Sequence, residues 1–188
     1  MIWGQASSIM LVFAEERMDN TLFGISFPAS SWITIASFYS VIFGVLTSIL
    51  WGKMGDKQPS TAAKFGVGTI LYGIAALIMI YPVTAYAGDS IVSSYWMLLY
   101  FGILIAGECI TSPIGFGFAT AVAPKAFSTQ MVTVWQLGLS TGAGLATLSM
   151  NFYTEGQEAP FFLISGAVTC VVGLLVLIFK KKIMSYCE

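Results

Sequence analysis

The chain has 188 residues, of which 57% are hydrophobic and 9% charged, and its net charge at neutral pH is -1. A mean hydropathy of +0.84 excludes an ordinary soluble domain and indicates a membrane protein. The sequence contains no histidine, which excludes histidine-based metal sites, histidine proton relays and histidine-assisted nucleophiles.

The first apolar segment covers residues 1–14 and is too short to cross a bilayer. At about 1.5 Å per residue it reaches about 21 Å, whereas the hydrocarbon core is about 30 Å thick. Trp3, Gln5 and two serines give the segment a polar content typical of a helix that lines a pocket. We therefore expect a partial helix whose beginning lies upstream of Met1.

Five later segments each contain about twenty mainly apolar residues, the length that a membrane-spanning helix requires. They are residues 32–51, 65–86, 95–121, 131–150 and 161–179. The loops between them are short and carry most of the charges. The sequence therefore predicts an all-α polytopic membrane protein, with one transmembrane bundle over residues 1–188.

The basic residues predict the orientation of this bundle. If the helices alternate in direction, Arg17 falls on one side, beside Glu15 and Glu16, and the lysines fall on the other: Lys53, Lys57, Lys64, Lys125, Lys180, Lys181 and Lys182. By the positive-inside rule the lysine side is cytoplasmic, and the loops with Asp89, Glu155 and Glu158 face outward. We expect a multi-pass protein of the plasma membrane with a cytoplasmic C-terminus.

Cys109, Cys170 and Cys187 lack metal-ligand spacing and are interpreted as packing residues. No phosphate-binding loop or catalytic triad is recognisable, so we expect neither an enzyme nor a metal site, and no organic cofactor. We also expect no nucleic-acid partner.

Glu108 is the one charged residue between Asp89 and Lys125. It lies about 18 Å along a helix from Trp96, near the middle of the hydrocarbon core. A carboxylate at this depth costs several kcal/mol unless it is protonated, paired or facing water. Two interpretations follow: a neutral acid hydrogen-bonded to a neighbouring helix, or a functional carboxylate that faces a cavity.

The residues that follow Glu108 favour the functional interpretation. Ser112 lies one helical turn further on the same face. Pro113 cannot donate to the carbonyl of Cys109, and this predicts a kink close to the acid. A bent helix with a buried acid at the bend can change its angle and present charge to a cavity.

Trp135 lies several residues inside the next predicted span, together with Gln136. Tryptophan is usual at membrane interfaces, so one at this depth is more typical of a packed core or a pocket wall. Small and aromatic residues nearby in the spans are interpreted as helix packing: Gly138, Gly142, Gly144, Tyr72 and Gly73.

Several short motifs carry a resemblance to a known family. They are Gly107-Glu108 with Ser112-Pro113-Ile114-Gly115 and Ala123-Pro124, the spacing Trp135 to Gly142, Pro59-Ser60 with Lys64-Phe65, and Trp3 and Gln5 before Ser7-Ser8. They resemble the tenth, eleventh, ninth and seventh helices of the proton-dependent oligopeptide transporters, a branch of the major facilitator superfamily. The resemblance implies the C-terminal six-helix bundle of a major facilitator fold, with the first helix truncated.

In that family the acid on the tenth helix contacts the amino terminus of the peptide, and the resemblance implies this role for Glu108. Ser112 and Trp135 would line the same pocket, and Gln5 would approach it from the seventh helix. The implied partners are a small peptide, the lipid bilayer and an N-terminal half if that half is made separately. The implied coupling ion is the proton, because protonation of Glu108 would weaken its pairing with an ammonium group.

Three functions remain open at this point. The chain could be the C-terminal half of a proton-coupled di- and tripeptide transporter, incomplete alone. It could be an inactive gene fragment, or an accessory or homo-oligomeric membrane protein with another substrate. The sequence lacks the rings of like charge and the carbonyl motifs of channel pores. The gap left by a partial first helix disfavours a homo-oligomer further.

Overall fold

The computed structural model describes residues 2–86, 91–124, 127–154 and 157–185, and these residues form a bundle of helices. Two short helices open the chain, α1 (Ile2–Ala6) and α2 (Ile9–Arg17). The remaining helices are α3 (Ser31–Met54), α4 (Thr61–Ile78), α5 (Ile80–Ala85), α6 (Ser94–Val122), α7 (Ser128–Ser149) and α8 (Glu158–Ser185). Single 3-10 turns follow α3 and α7, at Gly55–Lys57 and Met150–Phe152.

Four strands of two residues each lie in the loops at one end of the bundle. They are β1 (Met18–Asp19), β2 (Thr21–Leu22), β3 (Ile25–Ser26) and β4 (Val92–Ser93). β1 pairs in parallel with β4, and β2 pairs with β3 as a hairpin. Phe23 and Gly24 at its tip have φ of 53° and 82°, and two positive φ values are what a type I′ turn requires.

Four of the described helical segments are long and apolar enough to cross a membrane: Ser31–Lys57, Thr61–Ala85, Ser94–Val122 and Glu158–Ser185. They contain three of the five predicted spans completely and a fourth, residues 65–86, up to its last residue, and they indicate a multi-pass membrane protein. The predicted span at residues 131–150 lies in α7, a helix of 22 residues with more polar side chains. That α7 crosses the membrane stays a prediction.

The first helical segment is interrupted at Ser7 and Ser8, which lie between α1 and α2. Both hydroxyls donate to the carbonyl oxygen of Gly4, at 3.3 Å and 3.0 Å. Such local hydrogen bonds compete with the helical backbone pattern and bend or interrupt it. Helix α2 then continues to Arg17, three residues beyond the predicted end of the segment at residue 14.

The second predicted span, residues 65–86, is also interrupted, because α4 ends at Ile78 and α5 begins at Ile80. Pro82 explains the break. It has no N–H to donate to the carbonyl four residues earlier, which is that of Ile78, and its ring clashes with that carbonyl. By contrast, α6 runs as one helix through Pro113. The kink predicted at Pro113 stays a prediction.

Helix α4 occupies the centre of the bundle and packs against α8 and α6, while α3 and α7 pack against the other sides of α6. A Cβ added at Gly66 would lie 2.6 Å from Leu177, and one at Gly166 would lie 2.7 Å from Leu77. The start of α4 therefore meets the end of α8, and the two helices are antiparallel. Lys64 and Lys180 consequently lie at the same end of the bundle.

The opposite end carries an ion pair between Arg17 and Glu158, with Nη1 and Oε1 3.4 Å apart. Nη2 of Arg17 also donates to the carbonyl of Tyr86 at 3.1 Å, so α2, the end of α5 and the start of α8 are joined. Among the described residues, Arg17 therefore lies at one end of the bundle and Lys64 and Lys180 lie at the other, as the sequence predicts. The predictions for Asp89, Lys125, Glu155 and Cys187 lie outside the described residues.

Candidate functional site

Glu108 is the middle residue of the 29-residue helix α6, and its side chain is partly buried between helices. Its Oε2 atom accepts a hydrogen bond of 2.6 Å from the indole Nε1–H of Trp3 on α1. Among the described residues no lysine or arginine lies within ion-pair distance of this carboxylate. The acid is therefore bound by a neutral donor from another helix, as the first interpretation requires, and the second depends on what it faces.

Glu108 faces a cavity of about 420 Å³ between α1, α4, α6, α7 and α8. Polar or aromatic side chains from all five helices line this central cavity: Trp3, Phe65, Thr69, Tyr72, Glu108, Thr111, Ser112, Trp135 and Thr169. Among the described residues that line the central cavity, Glu108 alone has a formal charge. The volume falls in the usual range for small-molecule sites, about 300–1,000 Å³. The cavity-facing interpretation of Glu108 therefore agrees with the geometry.

Tyr72 and Thr111 form one wall of the central cavity. The Tyr72 hydroxyl lies 3.0 Å from Oγ1 of Thr111, and that Oγ1 donates to the carbonyl of Gly107 at 3.1 Å. A threonine hydroxyl has one proton, so in this arrangement Tyr72 is the donor to Thr111. A Cβ added at Gly68 would lie 2.9 Å from the Gly107 carbonyl oxygen, so α4 and α6 meet closely here.

Trp135 forms another wall, with its ring 5.6 Å from that of Phe65 and 6.4 Å from that of Phe116, centroid to centroid. Gly115 lies under the indole, which occupies the space that a Cβ at this position would need. The Trp135 Nε1–H is buried and has no hydrogen-bond partner among the described residues. Buried polar groups normally have a partner, so this donor needs one that the described residues do not supply.

The structure thus brings three of the four predicted site residues to one cavity: Glu108, Ser112 and Trp135 line it together. Gln5 lies elsewhere. Its side chain is buried and its amide nitrogen donates to Oγ of Ser149 at 3.1 Å, so it joins α1 to the end of α7. The role of Gln5 in binding stays a prediction without support from this arrangement.

Some of the residues that the sequence analysis interprets as helix packing have another position in the structure. Tyr72 lines the central cavity, and so do Gly138 and Gly142. A Cβ added at Gly138 or Gly144 would meet no described atom within 4 Å, so these glycines do not mediate close packing within the described residues. Gly73 does so, because a Cβ there would lie 2.8 Å from the carbonyl oxygen of Gly166 on α8.

Two further cavities meet at Glu108 on the side of α3. One of about 190 Å³ is shared with Trp3, Ser37 and Ser40, and one of about 420 Å³ extends to Trp51. Small, mostly polar residues of α3 line them at intervals of three or four positions, with one adjacent pair at the end: Ser37, Ser40, Gly44, Thr47 and Ser48. This spacing places them on one helix face. The same spacing is visible in the sequence and could have revealed this polar stripe of α3.

The described helices include four that are long enough to span a membrane, and they enclose a cavity that Glu108 meets at the middle of α6. Secondary transporters bind their substrates in such cavities between helices, near the bilayer midplane. Within the described residues no group of three or more histidine, cysteine, aspartate or glutamate side chains could hold a metal ion.

The family model described as the POT family matches residues 1–171, and the chain belongs to that family. It is 36% identical over 184 residues to a di-/tripeptide transporter of Lactococcus lactis subsp. lactis (strain IL1403), an alignment that covers 96% of this chain and 37% of that protein. It is 31% identical to the uncharacterised transporter YclF of Bacillus subtilis (strain 168), with coverage of 97% and 38%. The chain therefore spans less than two fifths of the length of these relatives.

Solved structures of peptide transporters also match this chain. A POT family transporter in complex with a thioalcohol-conjugated peptide matches with a TM-score of 0.89 and 31% identity, over 97% of this chain and 39% of that one. A peptide transporter in complex with sulfate matches with a TM-score of 0.91 and 27% identity, over 97% and 37%. The predicted fold class and the predicted family are confirmed.

Proposed function

We propose that this chain forms the C-terminal bundle of a proton-coupled di- and tripeptide transporter, in which Glu108 binds the amino group of the peptide. The observation that carries the proposal is the position of Glu108, the one formal charge among the described residues that line the central cavity. The named relative that transports di- and tripeptides supports the substrate class.

Charge complementarity supports the assignment of Glu108. A carboxylate at mid-membrane depth is unfavourable without a partner, and an ammonium group would offset part of its desolvation. Its Oε2 atom is occupied by Trp3, and the rest of the carboxylate can accept further hydrogen bonds. Trp135, with its unpartnered N–H, and Ser112 would contact polar groups elsewhere on the peptide.

The second part of the proposal is that this bundle works with an N-terminal bundle. Alternating access needs two bundles that move around a site near the membrane midplane. Within α3, all of whose residues the structure describes, only Trp32 is buried. The polar stripe of α3 would be unfavourable against lipid, so we assign it to the surface that faces the other bundle or the water between the two.

The orientation belongs to the same proposal. The end that carries Lys64 and Lys180 faces the cytoplasm, since basic residues are enriched in cytoplasmic loops. The Arg17–Glu158 end then faces outward, and the C-terminus is cytoplasmic. The bundle lies in the plasma membrane. The proton is the coupling ion, because protonation of Glu108 removes the charge that binds the ammonium group and so favours release.

The test is uptake of labelled dialanine by cells that make this chain together with the N-terminal six helices of the Lactococcus relative. We expect concentrative uptake with both bundles and none with either alone. Glu108→Gln should abolish concentrative uptake without changing the amount of inserted protein. Glu16→Gln, the same chemical change at an exposed position of α2, is the matched control. Uptake by Glu108→Gln equal to that of Glu16→Gln would remove Glu108 from the mechanism.

A binding measurement tests the role of the ammonium group independently of transport. A hydrogen bond to a charged group contributes about 1.5–3 kcal/mol, or roughly tenfold to hundredfold in affinity. We expect the wild-type chain, assembled in nanodiscs with the N-terminal six helices of the Lactococcus relative, to bind dialanine that much more tightly than N-acetyl-dialanine, and Glu108→Gln to remove the difference. Equal binding of both ligands by the wild type would refute the proposed role.

A further inference from the structure

The contact between Trp3 and Glu108 joins residues that lie 105 positions apart, on α1 and α6. Helix α1 reaches this position because it packs tightly on α7: a Cβ at Gly4 would lie only 2.8 Å from Cβ of Ala146. Ser149, three residues and about one turn further along α7, accepts the hydrogen bond from Gln5. The indole of Trp3 is thus directed by two neighbouring contacts of its own short helix.

The Trp3 indole restrains the carboxylate without neutralising it. Its N–H is a neutral donor, and a hydrogen bond to a carboxylate favours the charged form and fixes its rotamer. The bond uses Oε2 alone, at 2.6 Å, and a carboxylate can accept on both oxygens. Oε1 accepts no hydrogen bond from Trp3, so it can receive one from a ligand.

Trp3 and Glu108 also form a partition between two cavities. Both residues line the central cavity of about 420 Å³, and both line the smaller cavity of about 190 Å³ on the α3 side. In the part of the chain that the structure describes, no other residue is shared by the linings of these two cavities. The hydrogen bond between these two residues therefore determines into which of the two cavities the carboxylate projects.

We propose that Trp3 is a positioning residue for the ligand amine: its N–H holds the Glu108 carboxylate so that the free oxygen is presented to the central cavity. This inference rests on the proposed function of Glu108. The indole acts through the carboxylate and selects for ligands with a free ammonium group. Loss of the N–H lets the carboxylate turn toward the α3 side, which weakens the binding of amines without removing the charge.

The test compares variants by their affinity for dialanine and for N-acetyl-dialanine, with the full chain assembled in nanodiscs with the N-terminal six helices of the Lactococcus relative. Trp3→Phe keeps an aromatic ring and removes the donor, whereas Trp3→Gln restores a side-chain N–H. We expect Trp3→Phe to weaken dialanine binding about tenfold or more. Once the carboxylate turns away, the ammonium group of the ligand loses its hydrogen bond to that charged group. N-acetyl-dialanine should bind as before, and Trp3→Gln should recover most of the lost affinity. Trp96→Phe, outside the cavity linings, controls for the loss of a tryptophan.

Equal weakening of both ligands by Trp3→Phe, or no weakening of either, overturns the inference. If the wild-type chain, assembled with the N-terminal six helices of the Lactococcus relative, binds neither ligand, the proposed function fails and the positioning role fails with it. The contact itself has an independent readout, the indole ¹H–¹⁵N resonance of Trp3, assigned by its absence from Trp3→Phe. This resonance should shift in Glu108→Gln. An unchanged resonance would show that the hydrogen bond is not formed, whatever the ligand data.

Discussion

The packing of α4 against α8 depends on two pairs of glycines that face each other. On α4 they are Gly66 and Gly73, and on α8 they are Gly173 and Gly166. A Cβ at Gly73 would lie 2.8 Å from the carbonyl oxygen of Gly166, and one at Gly166 would lie 2.9 Å from that of Gly73. The contact is reciprocal, so adding a methyl group to either helix meets the backbone of the other.

The geometry gives the size of the effect. Carbon and oxygen atoms of packed helices approach to about 3.3–3.6 Å, so Gly73→Ala forces α4 and α8 apart by roughly 0.5 Å. A gap of this size forfeits a quarter to a half of the attraction between neighbouring atoms, and overpacking typically costs about 1–3 kcal/mol. We expect Gly73→Ala and Gly166→Ala each to lower the free energy of unfolding by that amount. The double variant should lose less than the sum, because one separation relieves both overlaps.

Gly144→Ala is the matched control, because a Cβ at this position of α7 meets no described atom within 4 Å. There the substitution removes only the conformational freedom of glycine and should raise stability by about 0.5–1 kcal/mol. The assay is unfolding by SDS titration in mixed micelles, followed by circular dichroism. If Gly73→Ala unfolds at the same SDS fraction as Gly144→Ala, the close approach of α4 and α8 is not what stabilises the bundle.

Two further predictions use the same preparations. Gly115→Ala should displace the Trp135 indole, shift the tryptophan emission and weaken dialanine binding about tenfold, as expected when a packed wall residue moves. Gly117→Ala, which has open space for a Cβ, should change neither, and equal behaviour of the two would contradict the assigned wall. Arg17→Met should destabilise the chain by about 3 kcal/mol, since it leaves the buried Glu158 carboxylate without its cation, and Arg17→Met with Glu158→Met should recover most of that loss. Identical SDS midpoints for the single and double variants would argue against a buried ion pair.

The helices themselves could be predicted from the sequence, because a run of about twenty apolar residues has few alternatives in a bilayer. The predicted spans at 32–51, 95–121 and 161–179 lie inside the helices α3, α6 and α8. The break at Met79 could also have been predicted from Pro82, since the missing N–H is a local property. The sequence analysis did not predict that a proline near the end of a span would interrupt the helix.

The location of Glu108 could be predicted for the same reason: a lone acid in an apolar run lies at a depth fixed by helical rise. Its surroundings could not. Trp3 is 105 residues away, and whether its indole or the amide of Gln5 reaches the acid depends on the rotation of α1 against α7. The contact between Gly4 and Ala146 sets that rotation, and this contact cannot be recognised from either residue in the sequence.

The buried state of Glu158 shows the same division. In the sequence it is an acid in a loop that faces water, whereas the tertiary structure leaves it 3% exposed at the start of α8, paired with Arg17. Hydropathy and helical rise act along the chain, so the sequence by itself determined the membrane class, the spans and the depth of the acid. Side-chain partners depend on how closely helices approach and how each is turned, and only the tertiary structure decided these, through glycine contacts between segments distant in sequence.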